Sequence, residues 1–441
     1  MMRIAWTELR RSNARVVAIL IVAITGAALL TDVRSWDTQW TRFANWHASA
    51  VFVLVPIAMA GGAMLGRRER RTRADELLGS TARPRWQRVT PAVAAIGLAV
   101  IAAHLFVFAA GGVLVARATG YTSLASMLIP VTDSVILAGS AWLGFAAGRA
   151  WTSALLPPAL AAVALLGQLG LTFVVPPGES TRLDNVILVP QPPSYDWEVV
   201  TSRAILGHLA LGLGLAGAGF LLAAARRWPA RVAAVPVVLA GILAALLIPG
   251  VGQAGRYRVD HDAQRLVCDG PVCVAAVHRA SLATVAPEAE RALTLLAKLP
   301  GAPTRAVEWR ATEVYEFGAA DPAGVPVPPG AAQFPFDEET GGPDSHLVED
   351  MVWGGGVPLQ GCKDPDDVAL AAAGAWLLGR DNITTDGLAP GSSTSSDVRD
   401  VLRTLRAAPA AEQTRRVAAV RDAARACGTD LTPILTGKVH G

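Results

Sequence analysis

Seven apolar runs in the first 250 residues constrain the fold of this 441-residue chain more than any other feature. Crossing about 30 Å of hydrocarbon takes a helix of roughly 20 residues. The first and last runs are shorter, so each would have to lengthen at its edge, through Arg15 and through Ile248 to Val251. The runs lie at Val16–Leu30, Ala48–Leu65, Ala92–Ala116, Ile129–Ala147, Ala154–Val175, Ala204–Ala225 and Val232–Leu247. They predict a polytopic α-helical membrane protein with about seven transmembrane helices in residues 1–250.

The arginine residues indicate which side of the membrane each loop faces. Sixteen of them lie at alternate ends of the runs, beginning before the first run, and five lie at the opposite ends. Because cytoplasmic loops carry the excess of Lys and Arg, this asymmetry predicts a plasma-membrane protein with a cytoplasmic N-terminus. After an odd number of crossings, residues 251–441 would be extracellular. The basic residues form short segments beside apolar runs rather than a basic face, which argues against nucleic acid as a partner.

The four cysteines, Cys268, Cys273, Cys362 and Cys427, all lie in the part that is predicted to be extracellular. An even number of cysteines in an oxidising compartment indicates two disulfides, for which three connectivities exist. We favour Cys268–Cys273, closing a short turn, with Cys362–Cys427 tying two helices. A structural zinc site is the alternative, but the C-x4-C spacing is at the upper limit for zinc and the later pair is too dispersed. No metal or other cofactor is expected.

Residues 251–441 are predicted to form an α+β extracellular domain. Short strands are expected near residues 255–260, 265–268, 272–277 and 305–317, and helices at Pro287–Leu299, Pro365–Leu378, Asp397–Ala407 and Ala410–Cys427. The motifs H-E-x-x-H and G-x-S-x-G and the P-loop are absent from the whole sequence. The chain is therefore not expected to be an enzyme, and no P-loop ATPase activity of its own is expected.

The loop between the second and third runs carries the most informative motif. It reads RRERRTRADELLGSTARPRWQR from Arg67 to Arg88. Its middle, Asp75 to Leu78, suits one or two amphipathic turns at the membrane surface, with the leucines buried and the carboxylates exposed. A basic loop that only fixes topology is the simpler interpretation.

This loop resembles one in the membrane subunits of type-2 ABC exporters. The matching positions are Glu69, Asp75, Glu76, Leu77, Leu78, Ser80, Thr81, Pro84 and Arg85. The segment Thr7 to Arg10 similarly resembles the interfacial elbow helix of that family, and the resemblance covers roughly residues 1–225. Ala82 departs from it, since the family often has Pro there. A seventh span and a cysteine-containing outer domain go beyond the usual six-span plan.

The resemblance implies a function and a set of partners. In that family the loop forms a coupling helix that docks on a separate ATP-binding subunit, so Glu69, Asp75, Glu76, Leu77 and Leu78 would couple this chain to an ATPase. The chain would then work in the lipid bilayer as the permease subunit of an exporter, as a homodimer or beside a second permease subunit. The alternative is a membrane-anchored receptor or sensor whose extracellular domain binds a ligand.

Polar side chains are few within the apolar runs. Asp133, Gln168 and His208 fall in the predicted outer half of the bilayer, and His104 falls near its middle. Leaving an ionisable group in lipid costs several kcal/mol, so such a residue is a functional candidate. The functional hypothesis is that Asp133, Gln168 and His208 line an outward-facing cavity on the substrate path. The alternative interpretation of these three residues is that they form hydrogen bonds between helices or lie near the membrane interface.

Overall fold

The structure, a computed structural model, describes residues 14–71, 84–118, 120–174, 181–188, 192–225, 227–316, 322–336, 346–357, 362, 365–381, 383 and 393–438. The chain divides into two compact units. The first comprises Met1–Asp260 with Val314–Asp321, and the second comprises His261–Glu313 with Pro322–Gly441. The division falls shortly after residue 250, where the sequence analysis places the domain boundary.

The first unit is a bundle of α-helices. Its helices are α1 (Ala14–Thr31), α2 (Trp40–Ser49), α3 (Val51–Arg71), α4 (Arg85–Ala118), α5 (Leu124–Ala150), α6 (Leu156–Val174), α7 (Ser202–Ala224), α8 (Trp228–Val232), α9 (Ala234–Leu247) and α10 (Gly252–Arg256). Within the described residues, six of them are long and apolar enough to cross a membrane, judged by length and composition, namely α1, α3, α4, α5, α6 and α7. These six correspond to the first six predicted spans.

The predicted seventh span is wrong in length. Helix α9 has 14 residues, which at 1.5 Å per residue reach about 21 Å of a hydrocarbon core of about 30 Å. The expected extension through Ile248 to Val251 does not form, because Pro249 and Gly250 follow the helix and neither supports its continuation. At the other end Ala233 separates α9 from the short α8. The count of candidate spans is therefore six instead of seven.

Close approach of helix backbones at glycine organises the bundle. Helix α5 packs against both α3 and α7, and α9 packs along α7. At the α3–α5 contact, a Cβ atom on Gly62 would lie 1.9 Å from the carbonyl oxygen of Ala141, and one on Gly144 would lie 2.0 Å from that of Met59. Only residues without a side chain fit there, as is typical of closely packed membrane helices.

A two-stranded antiparallel sheet closes one end of the bundle. It pairs β1 (Glu198–Val200) with β2 (Tyr257–Val259), so that Val200 lies opposite Tyr257. Strand β1 directly precedes α7, and β2 follows α9 and α10. The pairing therefore holds the start of α7 near the segment that follows α9. We call this end of the bundle the sheet end.

The second unit contains a small four-stranded sheet. Its strands lie in the order β3 (Leu266–Asp269), β4 (Val272–Ala275), β5 (Arg305–Glu308) and β6 (Ala331–Phe334). Strands β3 and β4 form an antiparallel hairpin, whereas β4–β5 and β5–β6 are parallel. Helix α11 (Leu282–Leu296) connects β4 to β5. The strand predicted at 305–317 is thus shorter, and the helix predicted to begin at Pro287 begins earlier.

Helices surround the rest of the second core. They are α12 (Leu347–Val352), α13 (Asp367–Leu378), α14 (Ser393–Arg406), α15 (Ala410–Arg425) and α16 (Thr432–Thr436). Helix α13 is buried over most of its length and packs against the other four. It begins where the Asp366 carboxylate accepts a hydrogen bond from the Ala369 N–H at 3.0 Å, and it ends at Gly379, where φ is 71°.

Both predicted disulfides are present in the second unit. Cys268 and Cys273 face each other across the β3–β4 hairpin. Cys362 and Cys427 form the other bond, which ties the segment ahead of α13 to the end of α15. Only one side of that bond adjoins a helix end, so the expectation that it ties two helices is met in part.

Candidate functional site

Two of the three polar residues predicted on a substrate path line one cavity. Asp133 of α5 and His208 of α7 both face a cavity of about 50 Å³ at the sheet end of the bundle. Asn45 of α2, Arg256 of α10 and Tyr257 of β2 complete most of its polar lining. We call it the sheet-end cavity.

The packing of α5 on α7 brings Asp133 and His208 together. The two helices meet where a Cβ atom on Gly139 would lie 2.7 Å from the carbonyl oxygen of Gly212. Asp133 precedes Gly139 and His208 precedes Gly212 by one to two helical turns. Both α5 and α7 start at the sheet end, so both side chains lie on that side of the contact.

The β1–β2 sheet supplies another wall of the cavity. The hydroxyl of Thr201 accepts a hydrogen bond from a backbone N–H in the first turn of α7 at 3.2 Å. The backbone N–H of Thr201 donates to the carbonyl oxygen of Arg256 at 2.8 Å. The cap of α7 thus fixes Arg256 and Tyr257 beside the helix that carries His208.

Arg256 is buried and is held by backbone. Its guanidinium donates to the carbonyl oxygen of Asp184, in the 3₁₀ turn Arg182–Asn185. The same turn is joined to the end of α9, because the side-chain amide of Asn185 donates to the carbonyl oxygen of Gly250 at 3.0 Å. A buried charge is tolerated when it is hydrogen-bonded, so this turn fixes a positive charge beside the cavity.

Asp133 brings an oxygen without a partner to the same cavity. The residue is 8% exposed, and within the described residues its Oδ2 atom has no hydrogen-bond partner. Such buried polar atoms are rare, and leaving one unsatisfied costs roughly 1–3 kcal/mol. The cavity has room for about one water molecule. The site can therefore hold a proton, a water molecule or a small cationic group on the carboxyl.

Tyr257 joins the cavity to α2. Its hydroxyl donates to Oδ1 of Asn45 at 3.5 Å, and Nδ2 of Asn45 donates to the carbonyl oxygen of Thr41 at 2.8 Å. Burial raises the pKa of Tyr257 to about 12, with Arg256 opposing the rise and Glu198 adding to it. The phenol therefore stays neutral at physiological pH and acts as a hydrogen-bond donor.

Gln168, the third predicted residue, lies elsewhere. Its side-chain amide donates to the carbonyl oxygen of Phe52 on α3 at 3.3 Å and to that of Ala164 on its own helix at 3.4 Å. It does not line the sheet-end cavity. For Gln168 the alternative interpretation, a hydrogen bond between helices, describes the structure.

His104 takes part in a second buried polar cluster. Its ring lies against that of His47, with 4.1 Å between centroids, and both residues are fully buried. None of the four ring nitrogens has a hydrogen-bond partner within the described residues. Phe43 and Phe108, stacked 4.8 Å apart, adjoin the pair. This cluster does not contribute to the lining of the sheet-end cavity.

The predicted coupling residues are described only in part. Glu69 lies near the end of α3, and its side chain is not described. The remaining four lie outside the described residues, namely Asp75, Glu76, Leu77 and Leu78. Nearby, Arg67 joins α3 to the segment after α5, since its guanidinium donates to the carbonyl oxygens of Thr152 at 3.2 Å and Ala154 at 3.4 Å.

Sequence reasoning missed Asn45, Arg256 and Tyr257. Asn45 stands just ahead of an apolar run, which is the one local signal that it faces the bundle. Arg256 and Tyr257 carry no such signal, because only the distant pairing of β1 with β2 brings them to Asp133.

Comparisons with known protein families, with curated proteins and with solved structures find no match. Within the described residues, no group of three or more His, Cys, Asp or Glu side chains is placed to hold a metal ion. The chemistry available at the sheet-end cavity is that of one carboxyl, one imidazole, one guanidinium, one phenol and one amide inside an apolar bundle.

Proposed function

We propose that this chain is the membrane-spanning subunit of an exporter energised by a separate ATP-hydrolysing subunit. The observation that carries the proposal is the convergence of Asp133, His208 and Arg256 on one cavity inside apolar helices. Ionisable groups in such helices are costly and are typical of substrate and ion pathways. The resemblance of the Arg67–Arg88 loop to that of type-2 ABC exporters supports an external ATPase as the energy source, since the chain has no P-loop.

The proposed threading places the N-terminus in the cytoplasm and the second unit outside the cell. The arginine asymmetry supports the first part. The β1–β2 pairing supports the second. The chain enters α7 at the sheet end and is paired at that same end again after α8 and α9, so on this proposal the short α9 returns the chain to that side although it is not among the six candidate spans. The two disulfides of the second unit suit an oxidising compartment.

The size of the cavity adds a condition to the proposal. Pockets that bind small molecules have volumes of about 300–1,000 Å³, whereas the sheet-end cavity has about 50 Å³. On this proposal the cavity widens during the transport cycle, and Asp133 and His208 meet the substrate in the wider state. The partner that completes the path is a second copy of the chain or a second permease subunit.

Substitution of the cavity residues tests the proposal. In proteoliposomes that contain the complex with its ATPase, we expect Asp133→Asn and His208→Ala to lower substrate-stimulated ATP hydrolysis by about tenfold, the equivalent of about 1.4 kcal/mol. Ser140→Ala is the matched control, since Ser140 is a buried polar residue of the same α5 and its hydroxyl donates to the carbonyl oxygen of Ile136 on its own helix. If the substrate stimulated ATP hydrolysis normally in both cavity variants, the proposal that the cavity takes part in transport would be contradicted.

A second experiment tests the coupling loop. Replacement of Glu76, Leu77 and Leu78 by Ala should abolish the ATP-hydrolysing activity that co-purifies with the chain from native membranes. Arg34→Ala serves as the control, because Arg34 is exposed in the 3₁₀ turn Val33–Ser35 after α1. Retained ATPase in the triple variant would contradict docking through this loop.

A membrane-anchored receptor or sensor is the second candidate. It is favoured by the second unit, which has its own hydrophobic core and its own disulfides. A receptor needs no ATPase partner, so purification of the full chain without any ATP-hydrolysing activity would favour this candidate over the exporter.

A further inference from the structure

The Cys268–Cys273 disulfide presents one cysteine to solvent and the other to the protein. The two residues occupy opposite positions on β3 and β4. Cys268 is exposed, whereas Cys273 is fully buried. A solute thiol that approaches the hairpin therefore meets the Cys268 side of the bond first.

An arginine lies beside both sulfur atoms. Arg305, the first residue of β5, has its Nη2 atom 3.4 Å from Sγ of Cys273 and 3.8 Å from Sγ of Cys268. A guanidinium is charged at every physiological pH. A fixed positive charge next to a sulfur favours the thiolate over the thiol, and the thiolate is the form that reacts and leaves in disulfide exchange.

The other disulfide also has an exposed cysteine, Cys427, but among the described residues no basic side chain is hydrogen-bonded to either of its sulfur atoms. Sγ of Cys362 lies 3.8 Å from the carbonyl oxygen of Ala424, which can accept a hydrogen bond but does not stabilise a negative sulfur. The Cys362–Cys427 bond also closes a loop of 65 residues, against 5 for Cys268–Cys273. A bond that closes a longer loop restricts the unfolded chain more, so Cys362–Cys427 contributes more to the stability of the second unit than Cys268–Cys273 does.

The hairpin keeps its geometry without the short disulfide. Strand β3 is paired with β4 over four residue pairs, and β4 is paired with β5. Cys268 and Cys273 therefore remain opposite each other after reduction, and the bond can form again.

From these contacts we infer that Cys268–Cys273 is a thiol–disulfide exchange site that accepts electrons from a dithiol. This inference is independent of the proposed export function. A thiolate of the dithiol attacks Sγ of Cys268, the Cys268–Cys273 bond breaks, and Sγ of Cys273 leaves as a thiolate beside Arg305. The second thiolate of the dithiol then attacks its own sulfur in the mixed disulfide and releases Cys268. Two electrons and two protons pass from the dithiol to the two cysteines, and the dithiol becomes a disulfide.

The test uses the full chain in detergent, dithiothreitol as the dithiol, and alkylation followed by peptide mass spectrometry. We expect Cys268 and Cys273 to be reduced first and to reoxidise when the reductant is removed, while Cys362–Cys427 stays intact. Arg305→Gln should slow reduction of Cys268–Cys273 by about fivefold, the upper range for a charge interaction at an exposed site. Arg305→Lys, which keeps the charge, should recover most of the rate.

Arg291→Gln is the matched control, an exposed arginine of α11 in the same unit. Reduction of Cys362–Cys427 in each sample reports whether the second unit stays folded. Equal rates for the two disulfides, or an unchanged rate in a folded Arg305→Gln variant, would overturn the inference. If Arg305→Gln unfolds the unit, the test rests on the wild type and on Arg305→Lys. Faster reduction of Cys268–Cys273 than of Cys362–Cys427 in these two proteins supports the inference, and equal rates overturn it.

Discussion

The two units of the chain differ in the exposure of their large apolar side chains. Among the described residues, every large apolar side chain that is exposed lies between Val16 and Val251, in the helix bundle. The two most exposed are Phe173, 85% exposed, and Leu30, 76% exposed. The second unit exposes none within its described residues and gathers its apolar side chains around α13. Water tolerates only small exposed apolar patches, so the exposed apolar side chains of the bundle are typical of a surface that faces lipid.

The units also differ in how their elements are held together. In the bundle, backbones approach at glycine, and the sequence has no cysteine before Cys268. In the second unit, a cluster of buried side chains and two disulfides hold the elements. The contrast is the one expected between a bundle in lipid and a domain in water. Lipid removes most of the gain from burying apolar side chains, so membrane helices associate through close backbone packing, whereas a domain in water gains from each buried side chain.

The largest expected effect is removal of the long-loop disulfide. Replacing Cys362 and Cys427 by Ser should lower the free energy of unfolding of the second unit by about 4 kcal/mol, since the bond closes a 65-residue loop. Removing Cys268 and Cys273 should cost about 2 kcal/mol, because that loop is short. Hydrogen exchange of the full chain measures both, through the protection of the α13 amides.

The bundle supplies the internal control for that measurement. Amides of α5 should keep their protection in both double variants, since no disulfide is part of the first unit. Equal loss of protection in α5 and α13 would show that the two units unfold together. That result would contradict the view that they are stabilised separately.

A smaller effect is expected from one methyl group in the bundle. Gly62→Ala places a Cβ atom 1.9 Å from the Ala141 carbonyl oxygen, so α3 and α5 must separate, at a cost of about 1–3 kcal/mol. Gly167→Ala is the matched control, a glycine of the apolar α6 with nothing within 4 Å of the added atom. Thermal unfolding in detergent should show a lower midpoint for the first variant only. Similar midpoints would contradict backbone packing as the main contact.

Much of the bundle could be predicted from the sequence because hydropathy is a local property. Six spans follow directly from their runs. The seventh fails through local chemistry, since Pro249 and Gly250 stop α9 before it gains the expected length. The short disulfide was predictable for the same local reason, its cysteines flanking a tight turn.

The candidate site was predictable only in part because it depends on which way helices face. The sequence shows three polar residues in apolar runs, namely Asp133, His208 and Gln168. The rotation and packing of α5, α6 and α7 determine that the first two line the same cavity and that the third lies elsewhere. Arg256 reaches the cavity through the pairing of β1 with β2, which no local pattern encodes.

The smallest change in stability is expected from substitution of Gln168, which tests whether this residue has a structural role in the bundle. Gln168→Leu removes the hydrogen bond to Phe52 that joins α6 to α3. Hydrogen bonds between membrane helices contribute about 0.6 kcal/mol on average, so the unfolding midpoint should fall less than in Gly62→Ala. Because Gln168 lies outside the sheet-end cavity, substrate-stimulated ATP hydrolysis should stay near that of the wild type while Asp133→Asn loses it. If Gln168→Leu lowered substrate-stimulated ATP hydrolysis as much as Asp133→Asn does, Gln168 would belong to the substrate path, and that path would extend beyond the sheet-end cavity.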